Sequence, residues 1–180
     1  MIWLDRFLMW LPCFASHVIR KADGSPYLLR KYLLPRRFSG AWWPGVFLHR
    51  FYQSDTDRCP HSHPWRFAVS LILTGGYQEL RFHPRHFHDY VTGDTGGFSA
   101  AFSYFTLHIR LPWSLNVIRA TDYHKAELLE PERGCWTLFV AFGHKRAKAG
   151  EEWGFIDPDT GVVTGWRDYL PAGADGLEGD

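Results

Sequence analysis

Asp57-Arg-Cys-Pro-His61-Ser-His63-Pro-Trp65-Arg-Phe-Ala68-Val-Ser-Leu-Ile-Leu-Thr-Gly75-Gly76 is the stretch whose reading sets the architecture. Residues 67–73 are a short run of mostly large or β-branched apolar side chains, broken only by Ala68 and Ser70, which suits a buried strand, and the glycine pair closes it in a turn. Residues 77–82 then read as the returning strand. Working outward, strand-like text recurs at 27–34, 45–52, 98–111, 113–119, 125–129 and 135–142. Gly, Pro and Asp signals separate these runs, as at Pro35, Gly93-Asp94, Gly96-Gly97 and Glu130-Pro131-Glu132-Arg133-Gly134. Many short strands with turn chemistry between them predict an all-β sandwich or barrel.

The same stretch carries the most informative chemistry. On a strand, side chains two apart share a face, so His61 and His63 point into one space. Neutral imidazole is a nitrogen ligand suited to Zn, Fe, Mn, Ni or Cu. Two histidines are a weak signal alone; a third ligand from a distant strand would complete a set with positions open to water or substrate.

With those residues in view, the text resembles the cupin superfamily. The first cupin motif, G-x5-H-x-H-x3,4-E-x6-G, fits His61, His63 and Gly75, with Ala68 at the glutamate position and Asp55 at the leading glycine. The second motif, G-x5-P-x-G-x2-H-x3-N, is matched by His124, with Arg119, Thr121 and Leu128 at its proline, glycine and asparagine positions. The resemblance implies a single cupin-type double-stranded β-helix, a jelly-roll barrel, with a metal held by His61, His63 and His124. The absent glutamate makes the site similar to three-histidine cupins, of which thiol dioxygenases are the familiar example. Such a site carries no ligand charge and leaves room for a bidentate substrate. The phrases Leu48-His-Arg-Phe, Leu71-Ile-Leu-Thr-Gly-Gly-Tyr-Gln-Glu79, Trp136-Thr-Leu-Phe and Glu152-Trp-Gly-Phe155 look like a group of small bacterial and phage cupins with no assigned activity.

Composition bounds the rest. The chain has 180 residues, 46% hydrophobic and 17% aromatic, enough for one packed domain and too apolar for disorder throughout. A net charge of +1 argues against a broad electrostatic footprint for nucleic acid or anionic membrane. Cys13, Cys59 and Cys135 are an odd count without a C-x-x-C pair, which suits a reducing compartment, so a cytoplasmic location is expected. Near the start, Trp3, Leu4, Phe7, Leu8 and Leu11 predict one face of an amphipathic helix ending near Pro12, rather than a signal peptide, because Asp5 stands where basic residues belong. The expected organisation is an N-terminal helix and turn over 1–25, a barrel over 26–145, a C-terminal docking segment over 146–170 and a flexible tail over 171–180.

Several side chains are candidates around this centre. Tyr77 and Arg119 are the expected catalytic groups, positioning a substrate or acting on a proton; Arg66 and Arg81 also suit a pocket wall, and arginine favours carboxylate or phosphate. Glu79 or Asp57 is a possible oxygen donor, His49 a possible interior residue, and Asp122 either orients His124 or belongs to a turn. His86-x-His88 reads as solvated loop, and Cys59 as a small buried residue. The expected function is a metal-dependent enzyme, oxygenase-like or isomerase-like, acting on a small polar or anionic molecule with a divalent transition metal, Fe(II) foremost and Zn, Mn or Ni as alternatives. The other readings are a ligand-binding or sensory barrel with a structural metal, and a metal-free epimerase-like barrel with a histidine base. A small molecule and a second copy in a homodimer are the expected partners.

Overall fold

Alternation of inward and outward side chains organises this chain, and short turns let it cross between two sheets. The computed structural model describes residues 2–21, 23–35, 44–55, 59–83, 104–144 and 153–169. After α1 (Ile2–Trp10) come β1 (Ala15–Arg20), β2 (Pro26–Tyr32), β3 (Gly45–Phe51), β4 (Trp65–Thr74), β5 (Tyr77–His83), β6 (Tyr104–Arg110), β7 (Leu115–Arg119), β8 (Tyr123–Leu128) and β9 (Cys135–His144). A short hairpin, β10 (Gly154–Ile156) with β11 (Val163–Gly165), and the four-residue helix α2 (Trp166–Tyr169) follow. No helix among the described residues is long and apolar enough to cross a membrane.

The strands form a six-stranded sheet ordered β1-β2-β3-β9-β4-β7 and a three-stranded sheet ordered β6-β5-β8. All the pairings are antiparallel. The chain changes sheet four times, at β4–β5, β6–β7, β7–β8 and β8–β9, so the two sheets face each other as the walls of a jelly-roll barrel, an all-β double-stranded β-helix with a short N-terminal helix. The first crossing depends on the glycine pair. Gly75 sits at φ +72°, and a Cβ there would lie 2.2 Å from the Gly134 carbonyl oxygen; at Gly76, φ +148°, it would lie 2.7 Å from that of Arg110.

Inward residues of the large sheet divide along the barrel. Tyr32, Phe47, Ala68, Ile118, Phe139 and Ala141 form one apolar cluster, and Ile72 joins Tyr77, Ala126, Leu128 and Cys135 in a second. Ala68 is 1% exposed within the first cluster, so the small side chain at the motif's glutamate position is part of an apolar wall. The outer face of the large sheet is covered by α1, where Leu8 packs on Leu29, Leu48 and Trp136.

Three expectations are corrected here. The packed stripe of α1 is buried Leu8 with half-buried Leu4, continued past the helix by Leu11, whereas Trp3 and Phe7 are exposed, because a helix on a flat sheet buries only a narrow face. Strand β1, within the span read as helix and turn, pairs with β2 from Ala15 to Arg20. His61-Ser-His63 precedes β4 as an extended segment held by isolated bridges, rather than lying inside a strand. His86, His88, Asp57, the text at 98–103 and the tail at 171–180 lie outside the described residues.

Candidate metal centre

The histidines meet because backbone hydrogen bonds join their segments. His61 N–H donates to the His124 carbonyl at 3.0 Å, and His124 N–H donates to the His61 carbonyl at 2.9 Å. On its other side the His61 segment is held by β10: Ser62 N–H donates to the Gly154 carbonyl at 2.9 Å, and Ile156 N–H to that of Pro60 at 2.9 Å. Phe155 then lies 6.0 Å from the His61 ring, and its own ring stacks on Tyr169 at 3.9 Å. Cys59 is buried with Trp153 and Phe155 beneath this segment.

His61, His63 and His124 each offer a ring nitrogen to a cluster whose ligand atoms all lie within 4.8 Å of one another. The three ring centroids are 5.0–5.1 Å apart. His63 Nε2 lies 2.8 Å from His124 Nε2, a separation that requires one shared proton. Glu79 decides which way it is shared. Its Oε1 lies 2.8 Å from His124 Nδ1, and a carboxylate only accepts, so Nδ1 carries the hydrogen and Nε2 presents its lone pair to the cluster. His63 then donates through Nε2.

Electrostatics disfavour charge on His61 and His63. Burial lowers the His61 pKa to about 4, the nearby Asp55 charge opposing this and His124 adding to it. Burial likewise holds His63 well below the usual imidazole range, helped by His124, His61, Arg30 and His49. Glu79 is fully buried, which would push its pKa up. Its hydrogen bonds with His124 and Asn116, with the Arg81 charge, outweigh burial and hold it well below the usual carboxylate range. Arg110 grips the far oxygen, with Nη2 2.8 Å from Oε2, and Arg81 Nε lies 3.2 Å from the same atom.

These donors fit a divalent cation. Nitrogen ligands at about 2.0–2.1 Å from one ion sit roughly 3 Å apart, so shifts on the order of an ångström would bring the rings into position. A histidine whose second nitrogen is held by a carboxylate is the usual support of a metal-binding imidazole. Glu79 therefore stands behind a candidate ligand, on the side away from the cluster.

The remaining candidates are dispersed. Tyr77 is buried, and its hydroxyl accepts from Asn116 Nδ2 at 3.0 Å; the same amide donates to Glu79 Oε1 at 3.0 Å. Burial, then the Glu79 charge, push the Tyr77 hydroxyl pKa well above its ordinary value. Alternation in β7 turns Asn116 and Ile118 inward and Arg119 outward, so Arg119 is exposed away from the histidines. Asp122 Oδ2 accepts from Arg119 N–H at 2.9 Å and faces Arg81 Nη1 at 3.3 Å, a turn role rather than an orienting one. His49 is interior: it is 4% exposed, stacks on Phe139 with centroids 4.9 Å apart, and Nε2 accepts from Arg30 Nε at 3.2 Å. Trp65 stacks on His63 at 5.6 Å and, with Phe139 at 6.3 Å, makes the apolar wall beside the cluster.

No family profile matches the chain, and no curated protein does. Among solved structures it is similar to Fe(II)-HppE with the alternative substrate (S)-1-HPP, at 9% identity and TM-score 0.45, covering 74% of this chain and 61% of that one. An RmlC-like cupin protein from Ralstonia eutropha is 14% identical with TM-score 0.44, covering 88% of this chain and 81% of that one. A cupin-like protein from Thermotoga maritima is 13% identical with TM-score 0.41, covering 73% and 80%. This chain thus spans under two thirds of the iron protein's length, and similarity at this level transfers no residue role from any of the three.

Proposed function

We propose that His61, His63 and His124 bind one divalent transition metal, and that the protein is a metal-dependent, oxygenase-like enzyme acting on a small polar or anionic molecule. The observation that carries this reading is the buried Glu79 on His124 Nδ1, which aims a lone pair at two further imidazoles disfavoured as cations. The convergence of three imidazole nitrogens within 4.8 Å, one of them held by a carboxylate from behind, supports the same reading.

A bound ion would supply Lewis acidity and open positions for substrate, and Fe(II) would add dioxygen chemistry; Zn, Mn and Ni suit the same donors. The chain's own residues do the rest. Trp65 and Phe139 keep one side of the centre dry, while Arg30, packed over Phe47 and Trp65 with its charge 5.4 and 5.7 Å from their rings, supplies positive charge near His63. Glu79, Arg81, Arg110 and Asn116 fix His124. Tyr77 supports Asn116 within this network, and Arg119 has no part in it.

Element analysis of protein purified without a polyhistidine tag tests the proposal. The expected result is one transition-metal ion per chain, lost in His61→Ala, His63→Ala and His124→Ala. Absence of stoichiometric metal, both as purified and after reconstitution, overturns it. Dioxygen uptake over a panel of small carboxylates and phosphonates then separates an oxygenase from a barrel in which the metal is structural.

A further inference from the structure

The surface of β6 and β7 inverts the usual pattern of a barrel strand. Every odd-numbered residue from 105 to 117 is apolar, and each is 45 to 70% exposed. The inward even-numbered positions are polar at Thr106, His108, Arg110 and Asn116: Arg110 and Asn116 serve the network behind the histidines, and the Thr106 hydroxyl bonds the His108 and His83 rings. The interior thus takes the polar half of this segment and leaves the apolar half outside. The strip stops at Arg119, the next outward position.

Three features argue that the strip is built to be covered. Both strands are edges: among the described strands β6 pairs only with β5, and β7 only with β4. Natural edges exposed to water carry charge, proline or a bulge, yet β6 keeps unbroken register with β5 from Tyr104 to Arg110 and shows no outward charge. Between the strands, Trp113 is 70% exposed at φ +71°, a backbone state costly for a non-glycine residue, with its N–H fixed on the Ile72 carbonyl at 2.7 Å. The strip exposes about 700 Å² of apolar side chain, close to the ~800 Å² per partner of a stable protein interface.

We propose that a second copy of this chain covers the strip, packing the same face against itself across a two-fold axis. An isologous contact sets each residue near its own counterpart, so a face with charge of one sign would repel itself; a strip without charge does not.

Sedimentation of the full chain from about 1 to 100 µM, the range in which ordinary dimers associate, tests this. Wild-type protein should sediment at twice the chain mass of 20.9 kDa. Ile109→Lys, at an outward position 60% exposed, should raise the dissociation constant about a hundredfold or more while leaving circular dichroism and metal content unchanged. Should the lysine variant misfold, Leu107→Thr with Ile109→Thr takes its place under the same readout. A wild-type monomer throughout the range, or a dimer indifferent to both variants, overturns the proposal. So does a monomer whose strip is protected from amide exchange, which would assign the cover to residues 84–103.

Discussion

At the scale of single residues, Glu79 has more consequence than any group outside the histidines. Its two oxygens receive His124, Asn116 and Arg110, with Arg81 beside them, so its negative charge both orients a candidate ligand and neutralises half-buried guanidinium groups. Glu79→Gln keeps the shape and removes the charge. It should weaken metal binding about 10–100-fold, the usual effect of losing a carboxylate behind a histidine ligand, as read by competition with a chelator. Glu79→Ala should also cost about 3–5 kcal/mol in urea unfolding, because Arg110 and Arg81 lose their buried partner. His61, His63 and His124 were legible in sequence because the spacing of two histidines to a glycine turn, and of a third near a later turn, is a pattern in the text itself. The role of Glu79 was not. It follows from the register Arg81↔His124, which sets Glu79 diagonally across from His124, and register emerges only when strands pair.

Elements show the same division between pattern and pairing. Strands β2 to β5 and β7 to β9 could be read from apolar runs bounded by turn residues. Strand β1 could not: it is an edge, mostly exposed, and Ala15, Ser16 and His17 carry no apolar alternation. The anchoring of α1 was equally hidden. Lys31 reads as a strand lysine that should face water, yet it is 5% exposed, and its Nζ donates to the carbonyls of Met9 at 2.7 Å and Leu11 at 2.6 Å, with Leu8 at 3.2 Å. A buried cation thus satisfies the orphan carbonyls at the helix C-terminus and complements its dipole. Lys31→Met keeps the apolar stem and removes those donors. The variant should lose about 1–3 kcal/mol of stability, with faster amide exchange across α1. Metal affinity should be unchanged, because α1 lies on the outer face of the large sheet, with the barrel wall between it and the histidines.

At the scale of the molecule, the buried histidines tie stability to pH. His61, His63 and His49 all have folded pKa values below the ordinary 6.5, burial being the first cause for each. In the unfolded chain they take up protons as pH falls through about 6.5, while in the folded chain they resist; the unfolded state therefore binds more protons and stability falls with pH. For His61 the decline runs from about 6.5 down to about 4, where the folded ring itself protonates. Glu79 adds to the decline only at the acid end of this window. Its pKa is depressed, so its stabilisation is complete above the unfolded carboxylate value and is lost only at more acid pH. The metal-free protein should accordingly lose thermal stability steadily between pH 6.5 and 4, and His61→Gln with His63→Gln should flatten that slope, leaving the part due to His49. A saturating metal acts on the same two rings in the opposite sense. It requires them unprotonated, so at 100 times its dissociation constant it should add about 2.7 kcal/mol, an increment that holds while the folded rings stay neutral and shrinks only near pH 4, where His61 itself protonates. Melting curves across this range, with and without metal, test the argument: a slope that survives the double variant, or a metal increment that falls away well above pH 4, would place the titrating groups elsewhere in the barrel.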